Sequence, residues 1–398
     1  MARRWPSILP EWGVVPPAEA DAPPALYEHL LTGPAIFQMG IPGRDGFPTS
    51  LLARLRAQAA RAKVAARAVY PDPRGEIELR REIAAHLALA RGVECRPSQI
   101  FITADFAGAL GTTLRVLGAE GREAWMGNPG FFQSRKALEL AGLVPVPIPV
   151  DEDGVDVSCG MEKAPAAALA LVTPGQQAPL GTTLSLKRRI ELLAWAARTG
   201  AWIIEDDYLG ELQLNRRAAP ALASLDRSGR VIHIGSFSKT ISPALRLGFI
   251  VSPVALVTRF AEATLCFGSA PGPAVQQATA HFMREGHYMR HLRRMKRIYC
   301  ARSEVLQAEW IRKGYRVHIG GRAAVVRLPD GVSDVGVARN AVAKGLAPSP
   351  LLPWFSPGTA AESGLLLGVA TATERQLPAA CRRLHQLIGP CDGNVEPR

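Results

Sequence analysis

Residues 235–248 read Gly-Ser-Phe-Ser-Lys-Thr-Ile-Ser-Pro-Ala-Leu-Arg-Leu-Gly and follow an apolar run at 231–234. The apolar run predicts a buried β-strand. Directly after it come four groups that react or bind: the amine of Lys239, the guanidinium of Arg246 and the hydroxyls of Ser236 and Ser238. Burial lowers the pKa of a lysine, and a neutral amine can form a Schiff base with an aldehyde. Arginine binds phosphate through paired hydrogen bonds, to which hydroxyls can add.

An aldehyde and a phosphate occur together in pyridoxal phosphate (PLP), so we expect this stretch to bind PLP. Such a site also needs a carboxylate that keeps the pyridine nitrogen protonated. The run Glu205-Asp206-Asp207-Tyr208 follows a predicted strand at 201–205 and could supply it. Asp206 precedes Lys239 by 33 residues, about one βαβ unit, which places the two on nearby strands. The alternative is a polar turn at the end of a strand.

Short apolar segments alternate with amphipathic ones along the first two thirds of the chain. This alternation predicts an α/β fold with a mostly parallel sheet covered by helices on both faces. Strands are predicted at 100–103, 123–126, 144–150, 167–173, 201–205, 231–234 and 248–252, and helices at 50–68, 76–91, 107–117, 133–141 and 185–199. Ligands of such sheets bind at the carboxyl ends of the strands, where the candidate residues fall.

The pattern changes after residue 272, so we predict three parts. Residues 1–45 form an N-terminal arm, with a short helix at 26–34, and a substrate-closing segment. Residues 46–272 form the large PLP-binding domain. Residues 273–398 begin with one long interdomain helix at 276–312 and continue as a small α+β domain, with strands at 316–318, 323–327 and 364–369 and a helix at 374–388.

Composition narrows the class of protein. The chain has 398 residues, 47% of them hydrophobic, with a formal net charge of +12, which predicts a globular protein whose basic residues are scattered. Six cysteines without a closely spaced pair argue against a metal site and against a disulfide framework, and favour a cytoplasmic location. No uncharged apolar run approaches the roughly 18 residues of a membrane helix.

Several stretches between about residues 36 and 388 resemble the fold-type I PLP-dependent aminotransferases. The similarity is greatest to the aminotransferase-like domain of MocR-type bacterial proteins. It is carried by the sequences at 69–87, 129–132, 172–196, 203–208, 231–253 and 285–306. The resemblance implies the fold-type I architecture, a large domain with a mostly parallel sheet of the seven-stranded type and a smaller α+β domain.

The resemblance also implies a role for each matching residue. Lys239 would carry the cofactor as a Schiff base and move the proton at the substrate α-carbon. Asp206 would pair with the ring nitrogen and Tyr208 with the ring 3-oxygen. The phosphate would be bound by Ser236, Ser238 and Arg246, by the backbone at Phe106 and Ala107, and across a homodimer interface by Tyr70 of the neighbouring subunit. Phe131 would stack on the ring, although a core position is the alternative for it.

The chain departs from this family at three places. The phosphate loop reads Ala104-Asp105-Phe106-Ala107-Gly108 where Ser-Gly-x-Gln-Gln is usual. The hydroxyl is thus lost and a carboxylate is gained, and Asp105 would be unfavourable near a phosphate unless it faces away or meets a cation. The usual asparagine partner of the ring oxygen is missing, and Gln177 could replace it. The arginine that binds the substrate carboxylate is replaced by a leucine, Leu365 or Leu366. Candidates to border the substrate instead are Gly40, Arg44, Arg74 and Arg322, of which each arginine is more readily explained as a surface residue.

These features predict an aminotransferase that acts on an amino acid or amine through the Lys239 Schiff base and a quinonoid. One alternative is another PLP reaction of secondary metabolism, such as elimination or replacement, cyclisation or carbon–carbon bond formation, with room for a nucleotide-like co-substrate. A second is the PLP-sensing effector domain of a transcription regulator. Nucleic-acid binding is disfavoured, because the segment before residue 36 is too short and too rich in proline for the winged helix-turn-helix of MocR-type proteins.

Overall fold

The computed structural model describes residues 35–65, 69–214, 219–268 and 270–389. The predicted N-terminal arm and the helix at 26–34 lie outside these residues. Helices in the described part are α1 Thr49–Ala65, α2 Ile77–Arg91, α3 Asp105–Leu117, α4 Phe132–Leu140, α5 Val157–Lys163, α6 Leu186–Thr199, α7 Val257–Phe267, α8 Pro273–Arg284, α9 His287–Ile311, α10 Asp334–Val342 and α11 Leu377–Ile388. Strands are β1 Ile100–Thr103, β2 Glu123–Asn128, β3 Val144–Asp151, β4 Gly154–Val155, β5 Leu169–Val172, β6 Trp202–Asp206, β7 Val231–Ser236, β8 Gly248–Val251, β9 Val317–Gly320, β10 Ala323–Arg327, β11 Ser349–Pro350 and β12 Gly364–Gly368.

The larger sheet confirms the predicted α/β class. Its strand order is β1-β8-β7-β6-β5-β2-β3-β4, and the pairs β7–β6, β6–β5, β5–β2 and β2–β3 are parallel. Strand β8 is antiparallel to both β1 and β7, and β4 is antiparallel to β3. The sheet has eight strands rather than seven because the two-residue β4 adds an edge strand. The strands β1, β5 and β8 are buried along their whole length, as expected for a sheet covered on both faces.

A second, antiparallel sheet with the order β11-β12-β10-β9 lies in the C-terminal part. The two sheets share a buried core, since the cluster that contains Ile102 and Phe249 of the larger sheet also contains Val326 and Leu365 of the smaller one. A smaller cluster joins Leu366 to Trp354 and includes the partly buried Phe131. The domain boundary at 272/273 stays a prediction. No helix in the described part of the chain is long and apolar enough to cross a membrane.

The periodic segments before residue 252 became elements of the predicted type, with bounds that shift by a few residues. Helix α2 shows why: Leu79, Ile83 and Leu87 form its buried stripe, and Gly92 ends it in the left-handed conformation that favours glycine. The stripe continues at the same spacing of four residues to Arg91, which is also buried. A buried arginine needs a partner, and that partner lies in the candidate site.

The prediction of one helix at 276–312 was wrong. Gly286 has φ +69°, a backbone conformation that interrupts an α-helix, so α8 ends at Arg284 and α9 begins at His287. The last helix begins at Leu377, three residues later than predicted, with a proline in its first turn. The sequence patterns also missed α5, α7 and α10 and the two-residue strands β4 and β11.

Candidate active site

Two neighbouring parallel strands, β6 and β7, bring the lysine and the carboxylates together. Asp206, the last residue of β6, is paired in register with Ile234 of β7, and β7 ends at Ser236, three residues before Lys239. The carboxyl ends of parallel strands meet at one edge of a sheet. The long-range prediction from the 33-residue spacing therefore agrees with the geometry of the sheet.

The surroundings of Lys239 shift its amine toward the neutral form. Its Nζ donates a hydrogen bond to the carbonyl oxygen of Gly40 at 3.0 Å. Burial and the nearby positive charge of Arg322 lower the pKa of Lys239 to about 8, although the carboxylates of Asp206 and Asp105 act in the opposite direction. A lysine with this pKa is a much better nucleophile near neutral pH than an ordinary lysine.

Asp206 is the carboxylate that shares the site with Lys239. It is only 7% exposed. Burial and the neighbouring Asp207 raise the pKa of Asp206 to about 8, while Lys239 and His233 lower it. A cationic ring nitrogen placed beside this carboxylate would stabilise its ionised form. Asp206 therefore has the burial and the charge balance expected of a partner for such a nitrogen.

The carboxylates on either side of Asp206 have other partners. Glu205 is fully buried and accepts hydrogen bonds from the amides of Leu222 and Ala223 at 2.6 and 2.9 Å and from Nδ1 of His233 at 3.0 Å. Burial raises the pKa of Glu205, but the His233 charge and these hydrogen bonds lower it on balance. Asp207 forms a two-point pair with Arg91, with Nε–Oδ2 and Nη2–Oδ1 distances of 2.7 and 3.1 Å.

Arg91 and His233 were not among the predicted site residues. Arg91 could have been found from the sequence, because it continues the four-residue spacing of the buried apolar stripe of α2. Nothing in the sequence pointed to the second, since His233 lies within an apolar strand. Together they neutralise two of the three consecutive carboxylates, which leaves Asp206 to face Lys239.

Tyr208 lies beside Asp206 and is joined to a glutamine that the sequence did not single out. Burial and the Asp206 charge raise the pKa of Tyr208, while Arg322 and a hydrogen bond from Gln176 act against the rise. Gln176 is 6% exposed, and its Oε1 has no hydrogen-bond partner among the described residues. It packs closely on the turn between β9 and β10: a Cβ at Gly321 would lie 1.5 Å from its Nε2.

The structure corrects the expectation for Gln177. Its side-chain Nε2 donates to the carbonyl oxygens of Pro129 and Ala178 at 2.7 and 2.8 Å, and its Oε1 accepts from the amide of Leu180 at 3.1 Å. These bonds use the amide to hold the loop of Gln177 together and to join it to the loop after β2 at Pro129, so the side chain is not free to replace the missing asparagine. In the described residues the adjacent Gln176 has the unpartnered oxygen instead, and two consecutive glutamines could not be told apart from sequence.

Phe131 is half-buried at the edge of an open cleft. The cleft is lined by Asp206, Gln177, Thr173 and Phe131 among others. The ring of Phe131 packs against Trp354 with centroids 5.6 Å apart. It thus belongs partly to a core cluster and partly to the wall of the cleft that contains Asp206, so both interpretations of this residue have support.

Of the residues predicted to bind phosphate, Arg246, Phe106 and Ala107 lie at the N-terminus of α3. Arg246 forms an ion pair with Oδ2 of Asp105. Oδ1 of Asp105 accepts from the amides of Ala107 and Gly108 at 2.9 and 3.3 Å. The adjacent Phe106 is half-buried, and its ring centroid lies 6.4 Å from that of Phe131. Ser236 and Ser238, at the end of β7, are half-buried, and Oγ of Ser236 accepts from the amide of Ser238 at 3.1 Å. The carboxylate of Asp105 therefore meets a cation, one of the two arrangements expected for it.

Of the three candidate arginines, the structure buries Arg322. Arg44 is exposed, and Arg74 pairs with Asp72 at 2.9 Å with 39% of its side chain exposed. Arg322 is 6% exposed, which corrects the expectation of a surface residue. Its Nη1 donates to the carbonyl oxygen of Lys239 at 3.0 Å, its guanidinium lies 5.6 Å from the ring centroid of Tyr299, and its Nε has no hydrogen-bond partner within the described ranges.

Strand β12 shows which leucine replaces the usual arginine. Leu366 belongs to the cluster that contains Trp354 and the partly buried Phe131, whereas Leu365 and Leu367 belong to the large core on the other face. Because side chains alternate along a strand, Leu366 faces the side of the candidate site. That wall is apolar, and the charged group on this side comes from the turn before β10, where Arg322 lies.

Two further predicted residues lie at the border of the site. Gly40 has φ +80° and presents its carbonyl oxygen to Lys239. The loop that contains it is held by Asp45, which pairs with Arg302, and by a hydrogen bond of 2.8 Å from the amide of Gly43 to the hydroxyl of Tyr299. Tyr70 is fully exposed. This exposure is compatible with a contact to a second subunit, which stays a prediction.

The residues present fit PLP. A lysine with a lowered pKa, a buried carboxylate with a raised pKa, a half-buried tyrosine and an aromatic cleft wall all lie at one sheet edge. The amides at the start of α3 and Arg246 form a set of donors suited to an anion. One group does not follow the expected pattern, because the carboxylate of Asp105 uses these donors itself.

Comparison with known proteins agrees with this geometry. The sequence profile of the family described as "Aminotransferase class I and II" matches residues 45–384. The chain is 36% identical over 343 residues to the probable rhizopine catabolism regulatory protein MocR of Rhizobium meliloti, covering 84% of this chain and 68% of that protein. It is 31% identical over 311 residues to the HTH-type transcriptional regulator TauR of Rhodobacter capsulatus, covering 77% of this chain and 63% of that protein. The chain thus spans about two thirds of the length of these regulators.

Solved structures share the fold over nearly the whole chain. The α-aminoadipate aminotransferase LysN from Thermus thermophilus is 26% identical, with a TM-score of 0.82 and coverage of 91% of this chain and 94% of that chain. An archaeal alanine:glyoxylate aminotransferase is 23% identical, with a TM-score of 0.83 and coverage of 91% and 93%. The second likeness concerns the fold alone.

Proposed function

The chain belongs to the aminotransferase class I and II family and is a PLP-dependent transferase, and from this premise we propose that it transfers the amino group of an amino acid or amine. The observation that carries the proposal is the pairing of a lysine with a lowered pKa and a buried carboxylate at one sheet edge. When bound, PLP supplies an aldehyde for covalent attachment and a ring that withdraws electrons.

The side chains of the site have separate tasks in this reaction. Lys239 attaches the cofactor and then takes and returns the proton at the substrate α-carbon. Asp206 would supply the negative charge for the ring nitrogen, and Arg91 and His233 keep the adjacent carboxylates occupied so that they do not compete. Tyr208 supplies a hydroxyl, and Phe131 covers one side of the cleft. The other PLP reactions considered from the sequence begin with the same attachment and stay alternatives.

Arg322 takes the place of the missing carboxylate-binding arginine. It is buried beside Lys239, and its Nε lacks a partner within the described part of the chain. A buried, unpartnered guanidinium donor is costly unless a ligand satisfies it. Gln176, with an unpartnered Oε1, packs on the same turn and adds an acceptor for an ammonium or hydroxyl group of the substrate.

Replacing Arg322 with leucine is expected to raise KM for α-amino acids about 10- to 100-fold, because a charge-assisted hydrogen bond contributes roughly 1.5–3 kcal/mol. An amine without a carboxylate should be affected much less. The measurement is steady-state kinetics with an amino acid and the amine of the same carbon skeleton. Arg322→Lys should restore part of the loss, since it keeps the charge.

The matched controls are Arg44→Leu and Arg74→Leu, which remove the two other candidate arginines. Since Arg322 also donates to the carbonyl of Lys239, the visible absorbance of the bound cofactor is measured in every variant. An equal loss with both substrates, or a larger loss in either control, would show that Arg322 does not bind the substrate carboxylate.

A second candidate function is the effector domain of a transcription regulator, because MocR and TauR, to which the chain is similar, are named as regulators. In that role the site would bind PLP and an amino compound without completing amino transfer. The two functions differ in one product. Pyridoxamine phosphate forms when the purified protein is mixed with an amino-group donor only if the chain is an aminotransferase, and chromatography of the released cofactor detects it.

The homodimer expected from the family resemblance is also part of this proposal. Tyr70 is the residue assigned to the contact, and its complete exposure together with that of its neighbour Val69, 78% exposed, leaves an apolar segment available to a partner. A homodimer would place Tyr70 of each subunit near the phosphate site of the other.

A further inference from the structure

Asp105 is the residue at the start of α3 whose carboxylate occupies the anion donors of the site. Its Oδ1 accepts from the amides of Ala107 and Gly108 at 2.9 and 3.3 Å, and its Oδ2 pairs with Arg246. Its side chain is 12% exposed, whereas that of Arg246 is 64% exposed. The contact therefore lies at the mouth of the site, with the carboxylate on the inner side and the arginine on the outer side.

The amides of Ala107 and Gly108 and the side chain of Arg246 could bind any anion, not only the carboxylate of Asp105. Free amides at the first turn of a helix, with the positive end of its dipole, favour a phosphate or a carboxylate, and arginine adds paired donors. The same groups, the backbone at Ala107 and the side chain of Arg246, are those that the family resemblance assigns to the phosphate of PLP. The carboxylate of Asp105 thus occupies the hydrogen-bond donors that the phosphate of the cofactor would need.

The backbone of both partners is held in an uncommon conformation. In the described part of the chain, three non-glycine residues have a positive φ: Phe37, Asp105 at +73° and Arg246 at +47°. Two of the three form this one ion pair. A non-glycine residue in this region costs about 1–3 kcal/mol and persists only where its surroundings impose it. A hydrogen bond of 2.9 Å from Oγ1 of Thr103 to the carbonyl oxygen of Asp105 helps to impose it here.

We propose that Asp105 is an internal competitor for the phosphate of the cofactor. The carboxylate keeps the donors of α3 and Arg246 satisfied when PLP is not bound, and it must release them when the phosphate enters. Its negative charge then lies beside a dianion, which weakens binding of PLP relative to a site with a neutral residue. The inference rests on the proposed PLP site. The charge of Asp105 also raises the pKa of Lys239, so the two groups are near each other.

Two properties follow from this competition. The protein loses bound PLP at free PLP concentrations at which a protein without Asp105 would keep it. The occupancy of the site therefore depends on the concentration of free PLP. The site also discriminates less between PLP and pyridoxal, because the donors gained by the phosphate are partly cancelled by the lost contacts of Asp105. Asp105 is therefore a specificity-determining residue for the phosphorylated form of the cofactor.

The experiment dialyses the holoprotein against decreasing concentrations of PLP and measures the bound cofactor by visible absorbance. Asp105→Ser and Asp105→Asn are expected to lower the dissociation constant for PLP about 10-fold or more. Serine and asparagine cap a helix as well as aspartate does, so α3 is expected to stay intact. The control is Asp156→Ser, which removes the carboxylate that caps α5 by accepting from the amide of Cys159 at 3.1 Å.

Two further arms locate the effect at the phosphate. The dissociation constant for pyridoxal should change much less than that for PLP in both Asp105 variants, and inorganic phosphate should raise the apparent dissociation constant for PLP by a larger factor in the variants than in the wild type. Equal or weaker binding of PLP by both variants, or an equal gain for PLP and pyridoxal, would overturn the inference while leaving the PLP site intact. A wild type and variants that all fail to bind either compound would overturn the cofactor assignment and the inference together.

Discussion

Replacing Lys239 with alanine is expected to abolish the visible absorbance of the bound cofactor and to lower the rate of amino transfer by at least about 100- to 10,000-fold. The variant loses the amine that attaches the aldehyde and the group that moves the α-carbon proton, and general acid–base catalysis alone contributes this much. Absorbance spectroscopy of the purified protein and single-turnover kinetics with an amino acid measure the two effects separately. A variant that keeps its visible absorbance would show that another residue attaches the cofactor.

The lowered pKa of Lys239 adds a pH dependence to the same experiment. With a pKa of about 8 instead of 10.5, roughly 10% of the amine is neutral at pH 7, about 300 times more than for an ordinary lysine. The rate at which cofactor-free wild type captures PLP should therefore rise with pH and level off above about pH 8. A capture rate that continues to rise toward pH 10 would show that the site does not lower the pKa. Arg322→Leu should move the midpoint upward, because it removes one of the causes.

Replacing Asp206 with asparagine is expected to leave the cofactor attached and to slow amino transfer about 100- to 1,000-fold. The reason is that the variant keeps Lys239 but loses the negative charge that would stabilise a protonated ring nitrogen during the reaction, and loss of one preorganised electrostatic group has an effect of this size. The visible absorbance should persist while the single-turnover rate falls. The control is Asp207→Asn, which alters the adjacent carboxylate but leaves the Lys239 side of the site unchanged.

Asp207→Asn weakens the pair with Arg91, so its main effect should be on stability, and its rate per correctly folded site should fall less than that of Asp206→Asn. Equal losses of rate in the two variants, measured per bound cofactor, would contradict the assignment of Asp206 to the ring nitrogen. Thermal unfolding of both proteins completes the comparison.

The raised pKa of Asp206 also has a consequence for stability without cofactor. Its pKa is 3.8 in an ordinary environment and about 8 in the folded protein, so between these values the folded state binds more protons than the unfolded state. The free energy of unfolding therefore falls as the pH rises from about 4 to 8. In Asp206→Asn this contribution is absent, and the variant should gain stability relative to wild type as the pH rises. A constant difference in melting temperature across this range would contradict the shift. The shifted pKa of Lys239 changes the free energy of unfolding with pH only between about pH 8 and 10.5, which is outside the range from pH 4 to 8.

The sequence alone determined the class of fold and the central pair of the site. Periodicity fixes which segments are strands and helices, and parallel strands bring their carboxyl ends to one edge. For this reason Asp206 and Lys239, both directly after buried strands, could be placed together. Some of the elements it missed are short, such as α5 and the two-residue strands β4 and β11. Others are joined without a change in pattern, as at Gly286, where one residue in the left-handed conformation separates α8 from α9.

Only the tertiary structure decided which polar groups face the site. Arg322 and Lys239 are 83 residues apart in the chain, and the burial of Arg322 depends on how the turn before β10 packs against the larger sheet. The choice between Gln176 and Gln177 depends on the bonds that Gln177 makes to Pro129, in the loop after β2, and to Leu180. The contact between Asp105 and Arg246 joins the first turn of α3 to the loop between β7 and β8. Local sequence sets the period of an element, whereas these contacts arise from long-range packing, which no local pattern records.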